Sequence, residues 1–236
     1  MVALAVIDQT AENIRILALN RDTMLEMPVL GVTGRNAGTD YGQLALSHTY
    51  GEGLEDSCEN TRNTVSSLLY GITIDHYVAM NMDAIVIVND AVGGVTVNVT
   101  DDFSLVDPSI KMGQMTLNAS QALVYVQSRH DVGSQLNISR MGRHEEYMQG
   151  LMTALGQKLE AGDSFVLDLH SKMSDYMVTD SSATVISSLM EHCSEYTLKE
   201  IVSPAGENVL AEEYYEFHLD EEALEELILR LFYAPK

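Results

Sequence analysis

The segment MVALAVIDQTAENIRILALNRDT, residues 1–23, decides the fold. Its two apolar runs, residues 2–7 and 14–19, flank a polar stretch at residues 8–13. Short apolar runs separated by polar residues are typical of neighbouring antiparallel strands. Neither run is long enough to span a membrane, and the first lacks the basic flank of a signal peptide. The segment therefore predicts a β-hairpin that ends in Arg21-Asp22-Thr23.

The rest of the sequence alternates between helical and strand-like patterns. Glycine and proline predict a loop over residues 24–39. Apolar residues at helical spacing predict helices over residues 41–50, 55–69, 83–91, 118–127, 139–160 and 181–192, and a final helix near the C-terminus. Strand patterns cover residues 76–80, 95–99, 197–202 and 214–218. This mixture favours an α/β or α+β fold.

Two of these helices have a definite expected core face. Ser139 is the expected N-cap of the long helix. The core face of that helix is expected to carry Met141, Met148, Met152, Leu155 and Leu159. The final helix is expected to turn inward the side chains of Leu224, Leu227, Ile228 and Leu231.

Composition indicates a globular protein with an acidic surface. The chain has 236 residues, of which 46% are hydrophobic and 20% are charged. Since no linker-like segment interrupts it, we expect one domain over residues 1–236. Its 35 acidic and 13 basic residues give a formal net charge of -22. Such a surface repels a polyphosphate backbone, and the sequence has no P-loop, so it argues against nucleic acid as a partner.

Cysteine and histidine provide no metal or nucleophile motif. Cys58 and Cys193 are too few and too far apart for a CxxC-type site, and they can pair only if the fold brings them together. His48, His130 and His144 lack the spacing of a zinc motif. The sequence also has no GxSxG nucleophile elbow.

Positive charge is concentrated in one segment. Arg129, Arg140 and Arg143 lie within fifteen residues in a chain that has only eight arginines. Arg140 and Arg143 are one turn apart at the predicted start of the long helix, where unsatisfied N–H groups and the helix dipole favour an anion. Guanidinium groups there suit the bidentate geometry of a phosphate. The alternative is that these arginines pair with nearby carboxylates, such as Glu145 and Glu146.

The order of short motifs along the chain resembles the LytR-CpsA-Psr (LCP) family over essentially the whole length. The matching motifs are RDT at residues 21–23, YV at 77–78, DAVGGV at 90–95, glycine at 113, LVYV at 123–126, the three clustered arginines, PAG at 204–206 and YY at 214–215.

This resemblance implies an α/β/α sandwich with a central mixed β-sheet that lacks the first strand of the family. It also implies a phosphotransferase that uses Mg2+ to transfer a glycopolymer, such as teichoic acid or capsule, from a polyprenyl-pyrophosphate carrier to peptidoglycan. The reaction would occur at the extracellular face of a bacterial cytoplasmic membrane. The catalytic residues would be Arg21, Arg129 and Arg140. The substrate-binding residues would be Arg21, Asp22, Gln43, Gln127, Arg129, Asn137, Arg140, Arg143 and His144.

The chain departs from the family pattern at several of these positions. Gln43 and Ala45 stand where the family commonly has lysine and asparagine. An arginine, an aspartate and a glutamine of the family are replaced by Gln127, Asn137 and His144. Each lost contact of a charged group could cost about 1.5 to 3 kcal/mol. The alternative function is therefore a catalytically impaired module that binds polyprenyl phosphate, while a role as a DNA-binding transcriptional attenuator is disfavoured by the negative charge.

The resemblance also bears on the region upstream of Met1. The two magnesium-binding aspartates of the family and its membrane anchor would lie there, so we expect neither in this chain, which as given we expect to be soluble. The first strand of the family would lie there too, and its absence would leave the strand at residues 2–7 with an open edge. We expect another segment or a second copy of the chain, forming a homo-oligomer, to cover that edge.

Overall fold

The computed structural model describes residues 1–31, 33–133, 137–159, 164–211 and 214–233. The chain divides into two compact units. Unit 1 comprises residues 1–79, 178–180 and 199–236, and unit 2 comprises residues 80–177 and 181–198. Each unit has its own hydrophobic core. The mixed α/β class is confirmed by the helices and sheets described below, and one domain over residues 1–236 stays a prediction.

The hairpin predicted from the first 23 residues is confirmed. Strands β1 (Val2–Asp8) and β2 (Asn13–Leu19) pair antiparallel over their whole length. The Asp8 carboxylate closes the turn because it accepts hydrogen bonds from two main-chain N–H groups of the turn, at 3.0 and 2.9 Å. Strand β9 (Thr197–Val202) matches the predicted strand and joins the same sheet, whose order is β1-β2-β9. Among the described strands, β1 is therefore at an edge of this sheet.

The loop predicted over residues 24–39 is wrong, because these residues form most of a second hairpin. Strand β3 (Met24–Leu30) pairs antiparallel with β4 (Asn36–Gln43), and the register shifts at Val29 and Leu30. Leu25 and Met27 are both buried, which is the period of two expected for a strand with one face in the core. Glycine and proline interrupt the pattern of this hairpin without preventing its pairing.

The next predicted helix, over residues 41–50, is also largely wrong. Its first residues complete β4, and Leu44–His48 form a short 3-10 helix. The Ser47 hydroxyl donates a hydrogen bond to the Leu44 carbonyl at 2.7 Å, within that turn. The following prediction is confirmed, since α1 covers Glu55–Leu68.

A hairpin and a helix complete unit 1. Strands β10 (Gly206–Leu210) and β11 (Tyr215–Leu219) pair antiparallel and are followed by α7 (Glu221–Phe232). Asp220 caps α7 by accepting a hydrogen bond from the N–H group of Ala223 at 3.1 Å. The four side chains that were expected to face inward are all buried: Leu224, Leu227, Ile228 and Leu231. They form part of the core of unit 1.

Unit 2 consists mainly of helices packed around one hairpin. The hairpin strands are β6 (Val95–Val99) and β7 (Gly113–Leu117), which pair antiparallel. The helices are α2 (Ala84–Val92), α3 (Ala119–Gln127), α4 (Asn137–Leu159), α5 (Ser164–Met173) and α6 (Ala183–His192). Two short strands that pair with each other, β5 (Val78–Met80) and β8 (Met177–Thr179), lie mostly in unit 1. Sequence patterns predict α2, α3, α6, β5 and β6, but they do not predict α5, β7, β8 or β10.

The core face of α4 differs from the predicted one. The helix begins at Asn137, so Ser139 lies inside its first turn and is not its N-cap. Of the predicted face, Leu155 packs against the core of unit 2, whereas Met141, Met148 and Met152 are not among the residues that do so. The face that packs into the core of unit 2 carries Tyr147, Leu151, Ala154 and Leu155, and Arg143 on the same side is 4% exposed. The actual face is rotated from the predicted one by about 100°, or about one residue position.

Gly150 allows this face of α4 to approach β6 closely. A Cβ atom at Gly150 would lie 2.9 Å from Val95 Cγ1 and would come still closer to the carbonyl oxygen of Thr96. One turn earlier, the buried Tyr147 hydroxyl donates a hydrogen bond to Asn89 Oδ1 at 3.1 Å. A small residue and a hydrogen-bonded tyrosine therefore decide which side of the helix faces the hairpin.

Candidate functional site

In unit 1, the segment Arg21-Asp22-Thr23 follows β2 and is anchored through its main chain. Each of its three carbonyl oxygens accepts a hydrogen bond from another part of the unit. The donors to residues 21, 22 and 23 are the main-chain N–H groups of Ala45, Phe217 and Leu44, at 2.9, 2.8 and 2.8 Å. The segment is thus fixed on one side by β11 and on the other by the start of the 3-10 helix.

Two side chains of this segment, those of Arg21 and Asp22, lie close to each other. The Arg21 side chain is 44% exposed, and its Nε atom lies 3.5 Å from Asp22 Oδ1. Asp22 is itself largely buried. An exposed guanidinium on a fixed main chain can bind an anion with little loss of conformational entropy in the backbone.

Gln43, another predicted substrate-binding residue, is used by the protein itself. Its Nε2 group donates a hydrogen bond to the main-chain carbonyl of Tyr215 at 2.8 Å. This contact joins the end of β4 to the start of β11. Its partner lies 172 residues away, so the contact could not be inferred from the sequence.

In unit 2, Arg143 is buried and its guanidinium donates four hydrogen bonds to other residues. Its Nε group donates to the Tyr125 carbonyl at 3.1 Å, and Nη2 donates to the Ser128 carbonyl. Its Nη1 group donates to Asp101 Oδ2 and, at 3.1 Å, to Ser139 Oγ. The guanidinium also lies 5.7 Å from the centre of the Phe103 ring, within the range of a cation–π contact. The alternative interpretation of the sequence, that these arginines pair with carboxylates, is thus confirmed for Arg143. Its partner is Asp101, which the sequence did not indicate.

The neighbouring cationic and polar residues are more accessible than Arg143. Gln127 is the last residue of α3, and both it and Arg129 are exposed. No hydrogen bond or ion pair of the Arg129 side chain with another described residue is found. Arg140 is partly buried in the first turn of α4. The side chain of Asn137 lies outside the described residues.

His144 lies one residue beyond Arg143 and is neutral. Its Nε2 atom is 2.9 Å from the carbonyl oxygen of Val126; because a carbonyl can only accept, Nε2 carries the proton. Burial lowers the pKa of His144 to about 4. At neutral pH this residue therefore offers no positive charge to a phosphate.

Glu146, one of the two carboxylates considered as arginine partners, instead accepts a hydrogen bond from the main-chain N–H group of Asn98 at 2.7 Å.

The described residues do not assemble a metal site. No group of three or more histidine, cysteine, aspartate or glutamate side chains that could hold an ion occurs among them. Cys58 and Cys193 are both free thiols, so the disulfide that the sequence left open is not formed. Burial raises the pKa of the Cys58 thiol. The described residues thus hold no ready-made cluster of metal ligands, and the Mg2+ implied by the family resemblance stays a prediction.

Over the described parts of the chain, no helix combines the length and the apolar character required to cross a membrane.

The predicted site residues fall into two sets. Arg21, Asp22 and Gln43 belong to unit 1, and the remaining predicted residues belong to unit 2. Within unit 2, Arg143 connects α4 with the segment that follows α3. Asp101 was missed by sequence reasoning, since nothing in the local pattern distinguishes it from the many other carboxylates of this acidic chain.

Comparison with known proteins identifies the family. Residues 1–231 match the LytR_cpsA_psr family. Cell wall biosynthesis protein LcpA of Corynebacterium glutamicum is 40% identical over 86 residues, which are 36% of this chain and 16% of that protein. The polyisoprenyl-teichoic acid–peptidoglycan teichoic acid transferase TagV of Bacillus subtilis is 28% identical over 203 residues, which are 83% of this chain and 48% of TagV. The matched region thus spans less than half of the length of each of these relatives.

Solved structures share the fold. The structure of TagT bound to LI-WTA superposes with a TM-score of 0.73 and 20% identity, covering 97% of this chain and 81% of TagT. Protein gbs0355 of Streptococcus agalactiae superposes with a TM-score of 0.78 and 24% identity, covering 97% of this chain and 77% of that chain. The family match over nearly the full length and the shared fold lead to one conclusion: this chain belongs to the LytR_cpsA_psr family.

Proposed function

We propose that this chain binds a polyprenyl-pyrophosphate-linked glycan and transfers its phospho-glycan part to peptidoglycan, outside the cytoplasmic membrane. Membership of the LytR_cpsA_psr family supports this proposal, as does the relative TagV, which is named as a polyisoprenyl-teichoic acid–peptidoglycan teichoic acid transferase. The observation that carries the proposal is Arg129, an exposed arginine with no described side-chain partner in a chain of net charge -22. A strongly acidic protein offers many carboxylates, so a guanidinium that pairs with none of the described ones is available to an external anion.

The chemistry assigned to the arginines is charge neutralisation. In the transfer, a hydroxyl oxygen of the acceptor forms a new bond to the phosphorus that carries the glycan, and the bridging P–O bond of the diphosphate breaks. Polyprenyl phosphate leaves with the electron pair, and the hydroxyl proton passes to solvent. Negative charge on the phosphoryl oxygens is stabilised by Arg129 and Arg140 of unit 2. The exposed Arg21 of unit 1 is a separate candidate for binding an anion.

An apolar helix supports the lipid part of the proposal. Residues 85–88 of α2 read Ile-Val-Ile-Val, and all four are only partly buried. A helix with apolar residues on every side is usually buried, so accessible apolar surface on α2 suits a hydrocarbon chain.

A second candidate function is a module that binds polyprenyl phosphate without turning it over. Gln43 favours this candidate, because it stands where the family commonly has a lysine and its amide already bonds to Tyr215. The neutral His144 adds no charge in unit 2. Fewer cations facing the diphosphate would reduce stabilisation of the transition state more than ground-state binding.

Binding is tested with geranylgeranyl pyrophosphate as the probe, using titration calorimetry on the full chain. Replacing Arg21, Arg129 or Arg140 by alanine is expected to weaken binding by about tenfold to a hundredfold, the loss of one charge-assisted contact. Arg230→Ala is the control, because Arg230 is 51% exposed and pairs with Glu200 on the surface. Equal weakening by all four substitutions would contradict a localised site.

Turnover separates the two candidate functions. The chain is incubated with a lipid-linked glycan, peptidoglycan and increasing Mg2+, and release of polyprenyl phosphate is measured. Mg2+-dependent release that Arg129→Ala abolishes supports the transferase. Tight probe binding with no release at any Mg2+ concentration supports the binding module.

We further propose that a second copy of the chain covers β1 and forms a homo-oligomer. Edge strands present unpaired N–H and C=O groups that readily pair with another strand. Light scattering over a range of concentrations should show a dimer. A monomer at all concentrations would refute this proposal.

A further inference from the structure

The Asp101–Arg143 ion pair of unit 2 is bonded mainly to other parts of the protein. Arg143 uses four of its five N–H donors, on Tyr125, Asp101, Ser139 and Ser128. The Arg143 side chain is 4% exposed and that of Asp101 is 19% exposed. A guanidinium already occupied by protein acceptors has little capacity left for a ligand.

The contacts of this pair fall next to the two candidate arginines of unit 2. The Ser128 carbonyl, which accepts from Arg143, belongs to the peptide bond that joins Ser128 to Arg129. Ser139 directly precedes Arg140 and bonds to both members of the pair, with its hydroxyl 3.0 Å from Asp101 Oδ2 and 3.1 Å from Arg143 Nη1. One buried ion pair thus fixes the chain immediately before each of the two arginines.

Gly133 shows how closely the intervening loop packs against this pair. Its φ angle is +61°, and a Cβ atom there would lie 2.8 Å from Asp101 Oδ2 and would also collide with Ser139 Oγ. The loop after Arg129 therefore rests on the same carboxylate and hydroxyl that hold the start of α4. Three separate segments meet at Asp101.

We propose that Asp101 and Arg143 are positioning residues, which set the places of Arg129 and Arg140 without touching the diphosphate themselves. This inference rests on the proposed function, and it assigns to Arg143 a role other than the direct substrate contact predicted from the sequence. Placement matters because an error of about 1 Å in a catalytic group can lower a rate by about a hundredfold.

The substitution Asp101→Asn distinguishes positioning from direct contact. If Arg143 contacts the diphosphate, removing the neighbouring negative charge should leave affinity for geranylgeranyl pyrophosphate unchanged or increase it. If the pair positions the arginines, affinity should fall by about tenfold although the chain becomes less negative. The matched control is Glu200→Gln, which also converts a carboxylate paired with an arginine into an amide, but on the surface of unit 1.

Hydrogen exchange of the unliganded chain provides a readout independent of the ligand. Asp101→Asn should speed amide exchange in peptides covering residues 126–133 and 137–143, and Glu200→Gln should not. Ser139→Ala is a milder variant that leaves the ion pair in place, so it keeps the chain folded if Asp101→Asn does not. It should speed exchange in the same peptides and weaken probe binding by about threefold.

The outcomes separate this inference from the proposed function. If the wild-type chain does not bind the probe, the proposed function fails and exchange alone decides whether the pair holds these segments. Unchanged exchange in both Asp101→Asn and Ser139→Ala would overturn the inference, as would tighter probe binding by a folded Asp101→Asn chain. Faster exchange together with weaker binding would support it.

Discussion

Replacing Gly150 by alanine tests the packing of α4 against β6. The added Cβ atom would meet Val95 Cγ1 at 2.9 Å and would also overlap the Thr96 carbonyl oxygen. The second obstacle is main chain within a paired strand, which cannot turn aside as a flexible side chain can. The helix would have to move away from the hairpin.

The expected magnitude follows from a comparison within the same helix. Gly156 also lies in α4, but a Cβ atom there would have nothing within 4 Å. Alanine instead of glycine stabilises a helix interior by about 1 kcal/mol, and Gly156→Ala should show this gain. At Gly150 the same gain is opposed by an overpacking cost of about 1 to 3 kcal/mol. Because the obstacle is rigid, we expect a cost near the upper end and a net loss of about 1 to 2 kcal/mol.

Thermal unfolding followed by circular dichroism measures both variants. For a chain of this size, 1 kcal/mol corresponds to about 2 to 4 °C in Tm. Gly156→Ala should therefore raise Tm by about 3 °C, and Gly150→Ala should lower it by about 2 to 8 °C. If Gly150→Ala raised Tm as much as Gly156→Ala, α4 would not approach β6 as described.

Three further predictions concern pH and packing. The lowered pKa of His144 means that the unfolded chain, with an ordinary pKa near 6.5, binds a proton between about pH 6.5 and pH 4 that the folded chain does not. Stability should thus fall by about 2 kcal/mol from pH 7 to pH 5 in urea unfolding, and this component should be missing in His144→Gln. Tyr147→Phe removes the donor to the buried Asn89 Oδ1, and chemical unfolding should show a loss of about 1 to 3 kcal/mol; no loss would mean that the hydrogen bond does not form. Leu227→Ala, at a position 8% exposed, should cost about 2 to 5 kcal/mol, whereas Leu229→Ala, at 58% exposed, should cost almost nothing. Equal effects of the two leucine substitutions would contradict the orientation of α7.

The first hairpin and the last helix could be predicted because their patterns are simple. The apolar runs of β1 and β2 are separated by a polar turn, and the inward leucines of α7 follow the helical period with acidic residues between them. In the hairpin and in α7, the residue type at each position suits the strand or helix that the overall pattern predicts. Local pattern and tertiary packing therefore give one answer.

The β3–β4 hairpin and the face of α4 could not be predicted for the opposite reason. In residues 24–39, glycine and proline suggested a loop, although the alternating burial of Leu25 and Met27 follows the period of a strand. In α4, the methionines offered a plausible apolar stripe, but the buried side carries an arginine whose charge is compensated by Asp101. That partner lies 42 residues away, and such a contact is set by tertiary structure alone.

The candidate site, too, could be predicted from the sequence only in part. The cluster of arginines could be read directly from the sequence, because positive charge is rare in this chain. The sequence does not show that these arginines differ in environment. In the structure, Arg129 is exposed and Arg143 is buried. Burial of Arg143 depends on two main-chain carbonyls at the end of α3, which no residue type reveals.

The anchoring of residues 21–23 has a consequence for how this site can vary in evolution. All three carbonyls are held by main-chain donors, so the geometry of the segment does not depend on which side chain occupies position 21. A substitution at position 21 would therefore leave these three main-chain hydrogen bonds intact. Arg143 has no such latitude, since its replacement would leave the partly buried Asp101 carboxylate without its ion-pair partner. Position 21 can thus vary without loss of these main-chain contacts, whereas position 143 cannot vary without loss of its ion pair.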